Sequence, residues 1–227
     1  MALVLKTPKT IPKELSFSPY ADNGGSLVAV AGADFAVIAS DTRLSTGYSI
    51  YTRDQSKLFK LSDKSILACG GCWCDTLSLT KLIEARMQMY LHEHTKVMST
   101  PAIAQMLSCL LYYKRFFPYY VSNILAGLDN EGKGVVYSYD PIGNFHPCGF
   151  KASGSAGSLL QPVLDNQLGE SNVSERSEGP TLEKAINVVR DAFISATERD
   201  IYTGDSILMY IITKDGLKEQ KFELRKD

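Results

Sequence analysis

The sequence predicts an α+β domain in which antiparallel sheets are covered on their outer sides by pairs of helices. Strand-like and helical runs arrive in blocks: several strands, two helices, strands, two helices, strands. A doubly wound parallel sheet would instead alternate one strand with one helix. The runs 27–31 and 35–39 are apolar at almost every position, as strands covered on both faces are. The 227 residues are 44% hydrophobic and 22% charged, with 17 Gly and 9 Pro, which excludes collagen-like and largely disordered chains and allows one sizeable core.

Residues 1–23 read as a separate tail, with Lys6, Lys9 and Lys13 scattered among Pro8 and Pro12, and with Phe17, Pro19 and Tyr20 available to pack. Residues 24–227 read as a single domain. Within it, 27–31 and 35–39 flank Gly32-Ala33-Asp34, a hairpin turn. Short strands follow at 49–52, 59–61 and 66–70. From Asp75 onward, Leu79, Leu82, Ile83, Met87, Tyr90 and Leu91 recur at helical spacing. Thr100-Pro101 offers an N-cap with proline at the first helical position, Ile103, Met106, Leu107, Leu110 and Leu111 mark the buried face, and Pro118 stops the helix. Strands resume at 124–129 and 135–140 across Asn130-Glu131-Gly132, then at 145–151. A short helix containing Pro162 begins near Ser155, and polar residues 169–180 form a loop. Thr181 caps a helix carrying Leu182, Ala185, Ile186, Val189 and Phe193. Strands 207–213 and 221–224, joined through Lys214-Asp215-Gly216, close the chain.

With 24 basic against 25 acidic residues there is no positive field to track phosphates, so no nucleic-acid partner is expected. No run of about eighteen apolar residues occurs, so no membrane partner is expected either. The first residues lack the apolar stretch of a secretory signal, and five cysteines is an odd number. Both point to an intracellular chain with reduced thiols. Cys69-x-x-Cys72-x-Cys74 could begin a zinc site, but no fourth ligand is evident, since His92 and His94 lie beyond a helical stretch. Small buried residues at a strand end are the simpler reading, and no metal is expected. The phosphate loop, the dinucleotide fingerprint, the zinc-protease helix motif and the serine nucleophile elbow are all absent from the sequence, so no cofactor is expected. Ser153-Gly154-Ser155 could hold an anion, although a helix cap accounts for it. Lys114 and Arg115, followed by Phe116, Phe117, Tyr119 and Tyr120, could stack on bases. Near-neutral charge and a place between helix and strand favour core packing or a subunit contact.

One constellation says more. The first hairpin ends in Ser40-Asp41-Thr42-Arg43, and Lys57 stands sixteen residues after Asp41. Gly70-Gly71 follows a strand, Ser153-Gly154-Ser155 precedes a helix, and Glu198-Arg199-Asp200-Ile201-Tyr202-Thr203-Gly204-Asp205 leads into the last hairpin. In this order and spacing they resemble the beta-type subunits of the proteasome, members of the N-terminal-nucleophile hydrolase superfamily, over about 24–227. Phe17-Ser18-Pro19-Tyr20, Asp22-Asn23-Gly24-Gly25, Arg115 to Tyr120 and Leu164-Asp165-Asn166-Gln167 resemble most the beta-6 kind (also called beta type-1), one of the beta chains that do not cleave peptides in eukaryotes. The resemblance implies a four-layer αββα sandwich of the N-terminal-nucleophile hydrolase type. It also implies partners (other beta subunits in a seven-membered ring and alpha subunits of the adjacent ring) and residence in cytoplasm and nucleus.

In active beta subunits, self-cleavage after a glycine exposes a threonine whose hydroxyl attacks the peptide carbonyl, its own α-amino group helping to take the proton. A lysine favours the deprotonated hydroxyl, an aspartate holds the lysine, and a glycine N–H stabilises the oxyanion. By motif match these roles fall on Asp41, Lys57 and Gly71, with Ser153, Asp200 and Thr203 in the supporting positions, the last in place of a serine. Aligning Gly24-Gly25-Ser26-Leu27 with the family's Thr-rich opening puts Gly24 at the nucleophile position, with one extra residue in the following hairpin. Glycine carries no side-chain oxygen, so acyl transfer cannot occur there. Asp41 and Lys57 are then expected as a structural ion pair. The implied function is that of a non-catalytic subunit supporting assembly and ATP/ubiquitin-dependent protein degradation by the complex. The alternative is cleavage at Gly25 with Ser26 as nucleophile, fifteen residues before Asp41; the strand position of Ser26 speaks against it.

Overall fold

The computed structural model describes residues 17–169 and 179–226. Most of the tail read in 1–23 and most of the loop read in 169–180 lie outside the described residues. The chain forms β1 (Ser26–Ala31), β2 (Phe35–Asp41), β3 (Leu44–Thr46), β4 (Ser49–Thr52), β5 (Leu58–Ser62) and β6 (Ser65–Gly71). Helices α1 (Trp73–His94) and α2 (Thr100–Tyr113) follow, then β7 (Val121–Leu128), β8 (Gly134–Tyr139), β9 (Phe145–Cys148) and β10 (Phe150–Gly154). Helices α3 (Gly157–Leu168) and α4 (Leu182–Thr197) precede β11 (Ser206–Thr213) and β12 (Gly216–Glu223).

The first hairpin explains the layering. Strand side chains alternate between faces. Val28, Val30, Val37 and Ala39 therefore join a core with Leu160, Leu164, Val189 and Phe193 of α3 and α4. Leu27, Ala29, Ala36 and Ile38 face Ile66, Ile124 and Val136 of the other sheet. All eight hairpin residues are buried, which is why the runs read as continuously apolar. One five-stranded sheet has the order β10-β1-β2-β11-β12, the other β5-β6-β7-β8-β9, β3 and β4 form a separate two-stranded sheet, and all neighbours pair antiparallel. Helices α1 and α2 cover the second sheet through Leu79, Ile83, Ile103 and Leu107. The result is helices, sheet, sheet, helices: a four-layer αββα sandwich.

Several elements differ from the sequence reading. The run 145–151 is two strands in different sheets, with Cys148 opposite Val136 and Phe150 opposite Val30. The chain crosses between sheets at Gly149, whose carbonyl accepts from Ala31 N–H at 2.7 Å. Thr100 does not cap α2; Ser99 holds that position without a side-chain bond. Thr100 spends its hydroxyl on Ser65 and the Leu128 carbonyl instead, tying α2 to the sheet. Helix α2 stops at Tyr113, before Pro118. Thr181 does cap α4, accepting from Lys184 N–H at 3.3 Å. At the other end of the chain, Tyr20 and Asn23 pack on the domain although the sequence reading put them in the tail. Tyr20 donates to the Pro118 carbonyl at 2.8 Å and lies against Phe117 and Tyr120.

Candidate functional site

The ends of β1, β2, β6 and β10 meet where the sandwich opens. Asp41, the last residue of β2, and Lys57, just before β5, are both fully buried and joined at 2.9 Å. Lys57 Nζ donates to both Asp41 carboxylate oxygens, to the Asp41 carbonyl at 3.2 Å and to the Arg43 carbonyl at 2.6 Å. Three ammonium protons are thus shared among three acceptor groups. The Asp41 carboxylate also accepts from the backbone N–H of Ser26 and of Arg43. Burial pushes the Asp41 carboxyl up and the Lys57 ammonium down, each opposed by the partner's charge and by these hydrogen bonds.

The two glycines before β1 run past this pair at positive φ, +65° at Gly24 and +97° at Gly25, where a side chain would be strained. A Cβ on Gly25 would lie 2.5 Å from Lys57 Cε and 2.9 Å from Nζ, whereas one on Gly24 would run into Tyr202. The lysine therefore faces Gly25, one residue later than the alignment on Gly24 implies. Neither glycine offers an oxygen on a side chain. The Gly71 N–H, matched to the oxyanion donor, is already taken by the Gly24 carbonyl at 3.1 Å, and Asn23 N–H donates back to the Gly71 carbonyl. A cleft of about 220 Å³ opens beside it, bounded by Asp22, Gly24, Gly71, Tyr120 and Ser155.

The supporting positions are corrected at one residue. Ser153 sits within β10 opposite Leu27 and takes no part in the cluster. Ser155 does: its hydroxyl and that of Thr203 both donate to Asp200 Oδ2 at 2.6 Å, and its N–H donates to the Gly25 carbonyl at 3.0 Å. Ser26 is buried in β1, its hydroxyl 2.6 Å from that of Thr203 and accepting from Ala156 N–H at 3.2 Å. The partners of this hydroxyl lie on the Asp200 side of the cluster and do not include Lys57, although the Ser26 N–H reaches Asp41.

Two polar centres were missed by the sequence reading. Asn23 accepts from Trp73 N–H at 2.9 Å, closing the start of α1, and donates to Thr46 Oγ1 and the Ser45 carbonyl. Asp205 binds Arg43 at 2.8 Å and Arg53 at 2.6 Å. Burial works to raise the Asp205 carboxyl, but the hydrogen bonds and charges of the two arginines outweigh it and hold it below the ordinary carboxylate range. The three thiols of the Cys69-x-x-Cys72-x-Cys74 run do not converge. Cys69 donates to Asn123 Oδ1 and is pushed far up by burial, Cys72 is buried and Cys74 exposed. Among the described residues no group of three His, Cys, Asp or Glu is placed to hold a metal ion.

This geometry, with an aspartate-held lysine beneath the start of β1 and a glycine N–H at the end of β6, is what the comparisons with known proteins can be set against. The model of the proteasome subunit family matches residues 21–212. The chain belongs to the proteasome subunit family. A Drosophila melanogaster protein named proteasome subunit beta type-1 is 61% identical over 218 residues, covering 95% of this chain and 93% of the relative. An Arabidopsis thaliana protein of the same name is 49% identical over 217 residues, covering 93% and 97%. Proteasome subunit beta type-6 of Saccharomyces cerevisiae is 42% identical over 226 residues, covering 95% and 94%. Each likeness runs almost end to end. As a proteasome-family chain it carries the Asp41–Lys57 pair and Gly71 in one place, and Ser155, Asp200 and Thr203 beside Ser26 in another. The signal for Ser155 over Ser153 was the helix start two residues later, since only Ser155 stands where β10 turns into α3.

Proposed function

We propose that this chain is a non-catalytic beta subunit of the proteasome core particle. It occupies one position in a seven-membered beta ring beside an alpha ring, in cytoplasm and nucleus, and supports protein degradation carried out by other subunits of the complex. The observation that carries this reading is the pairing of Lys57 with Gly25: the lysine faces a residue with no hydroxyl, and its protons are engaged by Asp41 and the Arg43 carbonyl. The occupied Gly71 N–H supports it, because an oxyanion donor must be free to meet the developing charge. In such a ring each subunit offers different surfaces to its two neighbours.

The Ser26 alternative would need the Gly25–Ser26 bond cut and the serine hydroxyl turned from Thr203 toward Lys57. The test is Ser26→Ala introduced into the assembled particle. Every peptidase activity of the particle is expected to stay at the wild-type level, and the chain's intact mass is expected to include residues before Ser26. Loss of one activity with a chain beginning at Ser26 would establish the alternative instead.

A further inference from the structure

A polar cleft opens between the two large sheets beside the start of α3. Residues opposite one another in paired strands share a face. Lys151 lies opposite Ala29 and Ser153 opposite Leu27, and both apolar partners belong to the core between the sheets. In the other sheet Ser138 lies opposite Ile124 on one side and His146 on the other, and Ser122 stands two residues before Ile124 on β7. Ile124 belongs to the same core. By strand alternation Ser122, Ser138, His146, Lys151 and Ser153 therefore face the space between the sheets, whose buried core elsewhere is Ala, Ile, Leu and Val. With Gly157 they line a cleft of about 440 Å³.

The groups in this cleft are mostly donors in want of an acceptor. Ser138 is only 6% exposed, yet among the described residues its hydroxyl has no hydrogen-bond partner. A buried hydroxyl in that state is costly until something binds it. Among the described residues the hydroxyls of Ser122 and Ser153 are unpartnered too, and Lys151 forms no ion pair. Neither serine of Ser153-Gly154-Ser155 caps α3: the cap position is Ala156, which has no side-chain acceptor. Leu159 and Leu160 N–H donate to the Ala156 carbonyl, while among the described residues the N–H groups of Gly157 and Ser158 meet no acceptor. Such a helix start carries partial positive charge. The carboxylate at the mouth, Asp140, is engaged by its own turn, its Oδ1 accepting from Ile142 N–H at 3.1 Å and Asn144 N–H at 2.7 Å.

We propose that this cleft binds a small tetrahedral oxyanion of the phosphate class. Lys151 supplies the counter-charge, and the hydroxyls of Ser138 and Ser153 and the free N–H groups at the start of α3 donate to its oxygens. Donors from β8, β10 and α3 stand on different sides of the cleft, which suits a tetrahedral anion better than a planar carboxylate. The experiment is titration of the full chain with inorganic phosphate, read by calorimetry and by the unfolding midpoint, against sodium chloride of equal ionic strength and against acetate. Saturable phosphate binding in the millimolar range or tighter is expected, with a rise in midpoint that the chloride control lacks. Lys151→Gln is expected to weaken binding at least about tenfold, and Ser138→Ala about threefold or more. Ser138→Ala is also expected to leave the phosphate-free midpoint unchanged or higher, because the hydroxyl it removes bonds to nothing in the fold; a serine kept for packing alone would lower it. No saturable binding, equal binding by wild type and both variants, or an equal effect of chloride would overturn the proposal. So would acetate bound as tightly as phosphate, or a phosphate-free midpoint lowered by Ser138→Ala.

Discussion

The buried polar shell around Lys57 and the strand start that faces it have been treated differently. On one side, Asp41 and Lys57 are packed and hydrogen-bonded to each other and to the Arg43 backbone, so that removing either side chain leaves a charge in the interior. On the other, Gly24 and Gly25 provide only backbone, and a side chain on either would collide with Tyr202 or Lys57. The shell is tied to the fold through β2, β5 and the loop between β2 and β3, whereas the attacking group is needed for chemistry alone. On the proposed reading, the nucleophile is dispensable to folding, while the ion pair is kept because the interior depends on it.

The sharpest way to break this contrast is to remove one charge. Lys57→Ala leaves the Asp41 carboxylate buried without its counter-ion and is expected to destabilise the chain by about 3–5 kcal/mol, read from denaturant unfolding. If the pair were a functional relic with no structural part, the loss would be under about 1 kcal/mol, and the contrast would fail. Next comes the neighbouring centre. Asp205→Asn weakens the contacts with Arg43 and Arg53 and is expected to cost about 1–3 kcal/mol. It also has a pH signature. The folded-state value of Asp205 lies below its ordinary value of about 4, so its stabilisation is present above that value and is lost as pH falls through the lower, folded one. Unfolding midpoints measured down the acid side are expected to fall less steeply in Asp205→Asn than in wild type.

How much of this was legible in the sequence depended on distance along the chain. Alternation within the first hairpin and the block order of strands and helices are local, so the four layers could be read. Asp41 and Lys57 were readable because their sixteen-residue spacing belongs to a known pattern. The sheet change at Gly149 was not, because a single alternating run of residues carries no mark of which sheet each half joins. Ser153 was assigned by motif match, but Ser155 stands two residues later in the same Ser153-Gly154-Ser155 motif, and only the turn into α3, which brings Ser155 to Asp200, separates their roles. Asn23 and Asp205 escaped because their partners are supplied by remote segments: Thr46 and Trp73 for the first, Arg43 and Arg53 for the second. A polar residue satisfied from so far away looks, in sequence, like any surface residue.

Asn23→Ala probes the strand start at lower energy. It removes the bonds to Thr46, Ser45 and Trp73, and about 1–2 kcal/mol is expected to be lost. Faster amide exchange at Asn23 and Gly71 is the expected local sign, because those two N–H groups hold the segment across the site. The smallest effect sets the scale. Thr181→Ala, at the cap of α4 and away from the site, is expected to cost about 1 kcal/mol by thermal unfolding with no change in exchange at Gly71.

The most direct measurement is covalent trapping. The assembled particle is treated with a peptide epoxyketone, which needs an N-terminal amine and an adjacent hydroxyl to form its adduct, and each subunit is then weighed by intact mass. This chain is expected at its unmodified mass while the active subunits gain the inhibitor. An adduct on this chain, at Ser26 or at any other leading residue, would contradict the reading of Gly24 and Gly25 as a site without a nucleophile.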